Sequence, residues 1–236
     1  MSREADLDRL YDLLTDLEAA VGGKQRLRDC TGHIDWPERG LYFFYADGET
    51  RSSTDQLRMT RIGTHAVSAG SGTSLWNRLR THRGALSGTY EGGGNHRGSV
   101  FRKRVGEAMI ERAGLHDDYP HWGEGSGAGR ERRLDELEHE RRVSEYIRDL
   151  PFLWVDVDDE PGPASDRAYI ERNAIALVSN YQKPSIDSRS DHWLGIQSPR
   201  SEISESGLWN INHVGETYDS DILDRLALLI EETEGL

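Results

Sequence analysis

The chain has 236 residues, with 29 basic and 42 acidic side chains and a formal charge of −13. That size suits one large domain or a small core with appendages, and the acidic surplus argues at first against a nucleic-acid partner. No apolar run reaches the ~18–20 residues of a membrane span, the charged N-terminus lacks a signal-peptide core, and one cysteine, Cys30, excludes an internal disulfide and a cysteine-rich zinc site. A cytoplasmic, reducing setting away from membranes is therefore expected.

Residues 4–21 form an amphipathic helix, with Leu7, Leu10, Leu13, Leu14 and Leu17 at helical spacing and Gly22-Gly23 as its stop. Its stripe suits packing on the core or pairing with a partner chain. The aromatic run Leu41–Ala46 predicts a strand, Asp47-Gly48 a turn, and Leu57–Val67 a second strand. A glycine-serine turn follows, where Thr73 or Ser74 can cap a helix that carries Leu75, Trp76 and Leu79 on one side and Arg78 and His82 on another. Residues 84–98 are glycine-rich, but no Gly-Lys-Ser/Thr follows, which excludes a triphosphate-binding loop.

Further on, Ser99–Ala113 and Glu131–Arg148 read as helices within a long insertion. Pro151–Val157 reads as a buried strand and Tyr169–Asn180 as a helix with Asp166 as its N-cap, stopped by Pro184. The acidic group Asp156, Asp158 and Asp159 reads as a solvated loop rather than a metal site. Tryptophans and amides in the tail (Trp193, Trp209, Asn210, Asn212, His213) fit packing better than base contact. A last amphipathic helix carries Leu223, Leu226, Leu229 and Ile230.

Charge is unevenly placed. From Arg51 to Arg104 there are ten basic and two acidic residues, a net +8, which leaves −21 for the remainder. A basic island in an acidic chain suits a phosphate-binding face. Arg80, Arg83, Asn95, His96, Arg97 and Arg102 are its candidate nucleic-acid contacts.

Gly40-Leu41-Tyr42, then Arg61-Ile62-Gly63, then Leu75, Arg78, Leu79 and His82, then Glu171 on a later helix stand in the order of a known family. The sequence resembles the GIY-YIG nucleases over roughly 38–84 and 150–187, with Arg61 where that family usually has tyrosine. The resemblance implies an α+β (α/β sandwich) fold. Its core, 38–187, would be a small three-stranded antiparallel-type sheet flanked by helices, with a helical insertion at about 85–150. Helical extensions, 1–37 and 188–236, would pack on it to make a single domain. It implies a catalytic set of Tyr42, Arg61, Arg78 and His82, with Glu171 holding Mg²⁺ or Mn²⁺ for cleavage of DNA. The family's asparagine after the helix-ending proline has Asp187 as its nearest match, with Asn180 before it and Asn210 and Asn212 later.

The residues permit that chemistry. A phosphodiester needs positive charge, an oriented nucleophile and a stabilised leaving oxygen. Arg78 can fork onto phosphate oxygens, Glu171 can hold a hard ion, and Tyr42 can orient or deprotonate water. Two other readings compete: a catalytically silent DNA-binding module of the same fold, and an interaction protein that dimerises through its terminal helices.

Overall fold

The computed structural model describes residues 2–234. Its elements in chain order are α1 (Arg3–Ala20), β1 (Gln25–Arg26), β2 (Gly40–Thr50), β3 (Leu57–Gly63), α2 (Leu75–Arg83), α3 (Val100–Ala113), α4 (Arg130–Asp135), α5 (Leu137–Asp149), β4 (Pro151–Asp156), α6 (Asp166–Val178), α7 (Ser201–Ser206) and α8 (Ile222–Glu234). The strands make one antiparallel sheet in the order β1-β4-β2-β3. The architecture is the expected α+β one, with four strands rather than three. The extra strand, β1, is two residues long, too short to leave an alternating pattern.

β2 reads as an unbroken apolar run because both of its faces are covered. Leu41, Phe43 and Tyr45 join a core built with α1, α6 and α8. Tyr42, Phe44 and Ala46 join a second core with Leu75 and Leu79 of α2, Phe101 and Val105 of α3, and Val143 and Ile147 of α5. The insertion therefore supplies α3 and α5 to this layer, beside α2 and Trp193, Ile203 and Trp209 of the tail.

Two expectations change. Asp47-Gly48 does not turn the chain; β2 continues to Thr50, and the register with β3 shifts between Tyr45 and Thr50. Gly48, at φ +78°, provides the left-handed residue of an irregularity inside the strand instead. The apolar stripes of α1 and α8 do not await a second copy. Leu7, Leu10, Leu14 and Leu17 share one core with Leu223, Leu226, Leu229 and Ile230 of the same chain. Among the described residues no helix is long and apolar enough to cross a membrane.

β3 is an edge strand, which leaves a row of unpaired backbone groups. The tail covers that edge. Trp209 N–H donates to Thr60 O at 2.7 Å. Asn210 accepts from Ile62 N–H at 3.2 Å and donates to Ile62 O at 2.8 Å. This places the C-terminal segment beside the second half-motif.

Candidate active site

The site begins with the two motif glycines. Tyr42 sits opposite Gly63 in the β2–β3 register, and Phe44 opposite Arg61, so Tyr42 and Arg61 share one face of the sheet. A Cβ at Gly63 would lie 2.5 Å from Tyr42 Cζ and 2.6 Å from its Cε2, and would also strike its hydroxyl. One at Gly40 would run into the main-chain oxygen of Val155. Neither glycine has a positive φ, so both are required for space rather than for backbone conformation.

Tyr42 Oη lies 2.9 Å from His82 Nε2, and both side chains are fully buried. Arg78 precedes His82 by one turn of α2, on the same face. Its guanidinium is held above the usual arginine range, first by the Tyr42 phenol and further by Glu171, against the opposing effect of burial. Glu171, on α6, is fixed by Thr64, the first residue after β3, whose N–H donates to Oε1 at 3.1 Å. Burial pushes the Glu171 carboxyl upward, while Arg61, that N–H, His213 and Arg78 pull it back. His82 is driven well below the imidazole range by burial and by Arg78, Arg61 and Arg102, so it is neutral.

Arg61 occupies the family's tyrosine place in its own way. It is buried, donates from Nη1 to Trp209 O at 3.2 Å and lies 4.9 Å over the Phe101 ring. Its Nε has no partner, and neither has that of Arg78. Neither arginine is within ion-pair distance of an acid among the described residues.

The basic island is smaller than its sequence suggests. Arg51, Arg58, Arg97, Arg102 and Arg104 are each neutralised by a carboxylate. Of the expected nucleic-acid contacts, Arg97 is forked onto Glu136 at 2.5 and 2.8 Å. Arg102 is buried against Glu140, His82 O and Ser144. His96 is buried between Glu140 and Trp122, with ring centroids 3.8 Å apart in the stack. These three therefore do not face a nucleic-acid backbone: a buried cation or imidazole requires an internal partner, and the insertion's glutamates provide it. Asn95 caps the short turn 96–98. Arg83 donates to Cys30 O at 2.7 Å and lies 4.8 Å over Trp76, and Arg80 is exposed. Arg61, Arg78, Arg80, Arg83 and Lys103, whose ammonium donates to Gly123 O, are what remains of the island without a carboxylate partner among the described residues.

Among the described residues no group of three or more His, Cys, Asp or Glu forms a metal cluster. Glu171 nevertheless fits a hard divalent ion. It is a single partly buried carboxylate with one oxygen free of protein hydrogen bonds, and water can complete such a shell. Of the acidic group Asp156, Asp158 and Asp159, Asp159 is structural: it accepts from Arg167 N–H at 3.0 Å and pairs with its guanidinium at 2.5 Å. Asp187 pairs with buried Arg51, remote from the site. Of the residues considered for the family asparagine, Asn210 is the one that clamps a motif strand. Thr64, Ser99 and Asn210 were not assignable from the chain, because each acts on a residue far from it in sequence.

Tyr42, His82, arginines without a carboxylate partner and Glu171 thus lie on the strands and helices that carry the two half-motifs, the arginine helix and the later carboxylate. A family model described as GIY-YIG domain matches residues 1–236. The chain belongs to the GIY-YIG family, whose members are in general divalent-metal-dependent nucleases acting on DNA. The match spans the insertion and both terminal extensions. No curated protein and no solved structure matches the chain.

Proposed function

We propose that the protein is a Mg²⁺-dependent endonuclease that hydrolyses phosphodiester bonds in DNA. The observation that supports this most is the convergence, in an acidic protein, of Tyr42, His82 and Glu171 with arginines that have no acid to neutralise them. An unneutralised arginine pair beside a carboxylate is suited to a substrate that brings its own negative charge.

Glu171 would hold Mg²⁺ or Mn²⁺, which when bound supplies positive charge at a phosphate oxygen and at the leaving oxygen. Arg78 forks onto the non-bridging oxygens, and Arg61 adds a second guanidinium from beneath. Tyr42 orients the attacking water, and His82 braces its hydroxyl. Because Tyr42 has no exposed surface, the side chains around it must shift as substrate enters.

A cleft of about 470 Å³ continues from α2 and is lined by Arg80, Arg83, Tyr90, Asn95 and Arg133. No carboxylate lines it, whereas clefts of about 540, 520 and 420 Å³ elsewhere among the described residues each contain two or more. Arg133 lies 3.7 Å over the Tyr90 ring. The cleft suits the backbone of the bound strand. A reducing compartment suits the single thiol, Cys30, which burial pushes up to about 11 and so keeps unreactive.

Loss of the family tyrosine to Arg61 favours one rival, a silent DNA-binding module. Incubation with supercoiled plasmid separates the two. Nicking with Mg²⁺ or Mn²⁺ that EDTA abolishes is expected; DNA binding without nicking under any of these conditions would establish the rival.

A further inference from the structure

The glycine-rich stretch 84–94 is a built hairpin. Ala85 N–H donates to Gly93 O at 2.7 Å, and Gly92 N–H donates to Ala85 O at 3.1 Å. Two arginines of α5 hold its backbone: Arg148 donates to Arg83 O and Ala85 O, and Arg141 donates to Glu91 O. A Cβ at Gly84 would strike Gly93 O, so the neck closes only on glycine. The hairpin sets Leu86 and Tyr90 in the wall of the cleft that Arg80, Asn95 and Arg133 also line. Leu86 is 53 % exposed, the most of any large apolar side chain among the described residues.

This wall offers more than a phosphate can use. A phosphate takes N–H donors and positive charge, and Arg80 supplies both. The Tyr90 ring and Leu86 add nothing to that. Arg133 lays its guanidinium 3.7 Å over the Tyr90 ring, and neither Arg80 nor Arg133 has a carboxylate within ion-pair distance among the described residues. Asn95 Oδ1 is taken by Arg97 N–H at 3.2 Å, which leaves its amide hydrogens for a ligand. The matching ligand has a flat aromatic face, acceptors on its edge and a negative charge. A nucleotide has all three. In a duplex each base face is covered by its neighbours, so the nucleotide that fits is an unpaired one.

We propose that this cleft takes an unpaired nucleobase, stacked on the Tyr90–Arg133 pair with its phosphate on Arg80, so that the preferred substrate carries a single-stranded stretch. The proposal rests on the reading of the chain as a DNA nuclease and narrows its substrate class. Leu86 meets the last base where the stack breaks, the use made of apolar side chains at unstacked steps.

The test compares two labelled DNA duplexes in EDTA, where nothing is cut: one blunt, and the same one with a short tail of unpaired thymidines. Fluorescence anisotropy should show the tailed duplex bound about tenfold more tightly. Tyr90→Leu fills the space without a stacking ring and should bring the two affinities to within about twofold. Tyr90→Trp should restore the preference. A 2-aminopurine placed in the tail should be quenched on binding to wild type and to Tyr90→Trp, but not to Tyr90→Leu. Equal binding of both duplexes by wild type overturns the proposal, and so does a folded Tyr90→Leu protein that keeps the preference. A protein that nicks plasmid yet binds both duplexes equally sinks this proposal alone. One that nicks nothing sinks the nuclease reading, and the affinities in EDTA still decide the cleft.

Discussion

Gly63→Ala puts a methyl group into the position of Tyr42. The nearest ring carbons would be 2.5 and 2.6 Å away, whereas carbon atoms in contact stay about 3.5–4.0 Å apart. The ring must therefore retreat by about 1 Å. Alanine suffers no backbone strain here, because Gly63 lies outside the left-handed region. Overpacking of this kind costs about 1–3 kcal/mol, which in a chain of this length lowers Tm by about 2–4 °C per kcal/mol. A catalytic group moved by about 1 Å loses about 10²-fold in rate. We expect kcat for plasmid nicking to fall about a hundredfold, with Tm lower by several degrees and DNA affinity held. Placing Gly63→Ala in a Tyr42→Ala background should remove most of the added instability, because the colliding ring is gone. A Gly63→Ala protein that cuts at the wild-type rate with unaltered Tm would refute the reasoning.

Asn210→Ala strips both hydrogen bonds from Ile62 on the covered edge of β3. Two stranded backbone groups should cost about 2–4 kcal/mol in denaturant unfolding, and a change under about 0.5 kcal/mol would show that the edge does not need the clamp. Glu140 is set against burial by His96 and Arg102, which hold its carboxyl down to about 2 from an ordinary 4.5. A depressed acid stabilises the fold above its unfolded pKa and loses that effect as pH falls through its folded one. About 3 kcal/mol should therefore disappear between pH 4.5 and 2, and Glu140→Gln should flatten that part of a Tm-against-pH curve. An equal slope in both proteins would contradict this. Arg80→Ala with Arg133→Ala should weaken DNA binding and reduce the salt dependence of log K by about 1.8, two phosphate contacts. An unaltered slope would remove the cleft from the strand's path.

Local chemistry was what the sequence could carry. Gly40-Leu41-Tyr42, Arg61-Ile62-Gly63 and the Arg78–His82 spacing sit on single elements, so the strands, the helix face and the order of parts were readable. Partnership across elements was not. Arg97 and Arg102 look like surface cations until Glu136, at the α4–α5 junction, and Glu140 of α5 come against them. Asn210 looks like any tail amide until the chain returns along β3. The insertion left little mark of joining the core, because α4 buries none of its residues and α5 is mostly charged and buries a narrow stripe. Asp47-Gly48 shows a related limit. The dipeptide permits a left-handed residue, but the strand around it determines whether that residue turns the chain or only kinks it.

The most direct measurement is single-turnover DNA cleavage by Glu171→Gln, which keeps the acceptor for Thr64 N–H and removes the negative charge. A loss of about 10³-fold in Mg²⁺-dependent rate, with DNA affinity in EDTA within a few-fold of wild type, is predicted. Cleavage at the wild-type rate would contradict the assignment of Glu171 as the ion-holding residue and the hydrolytic site built around it.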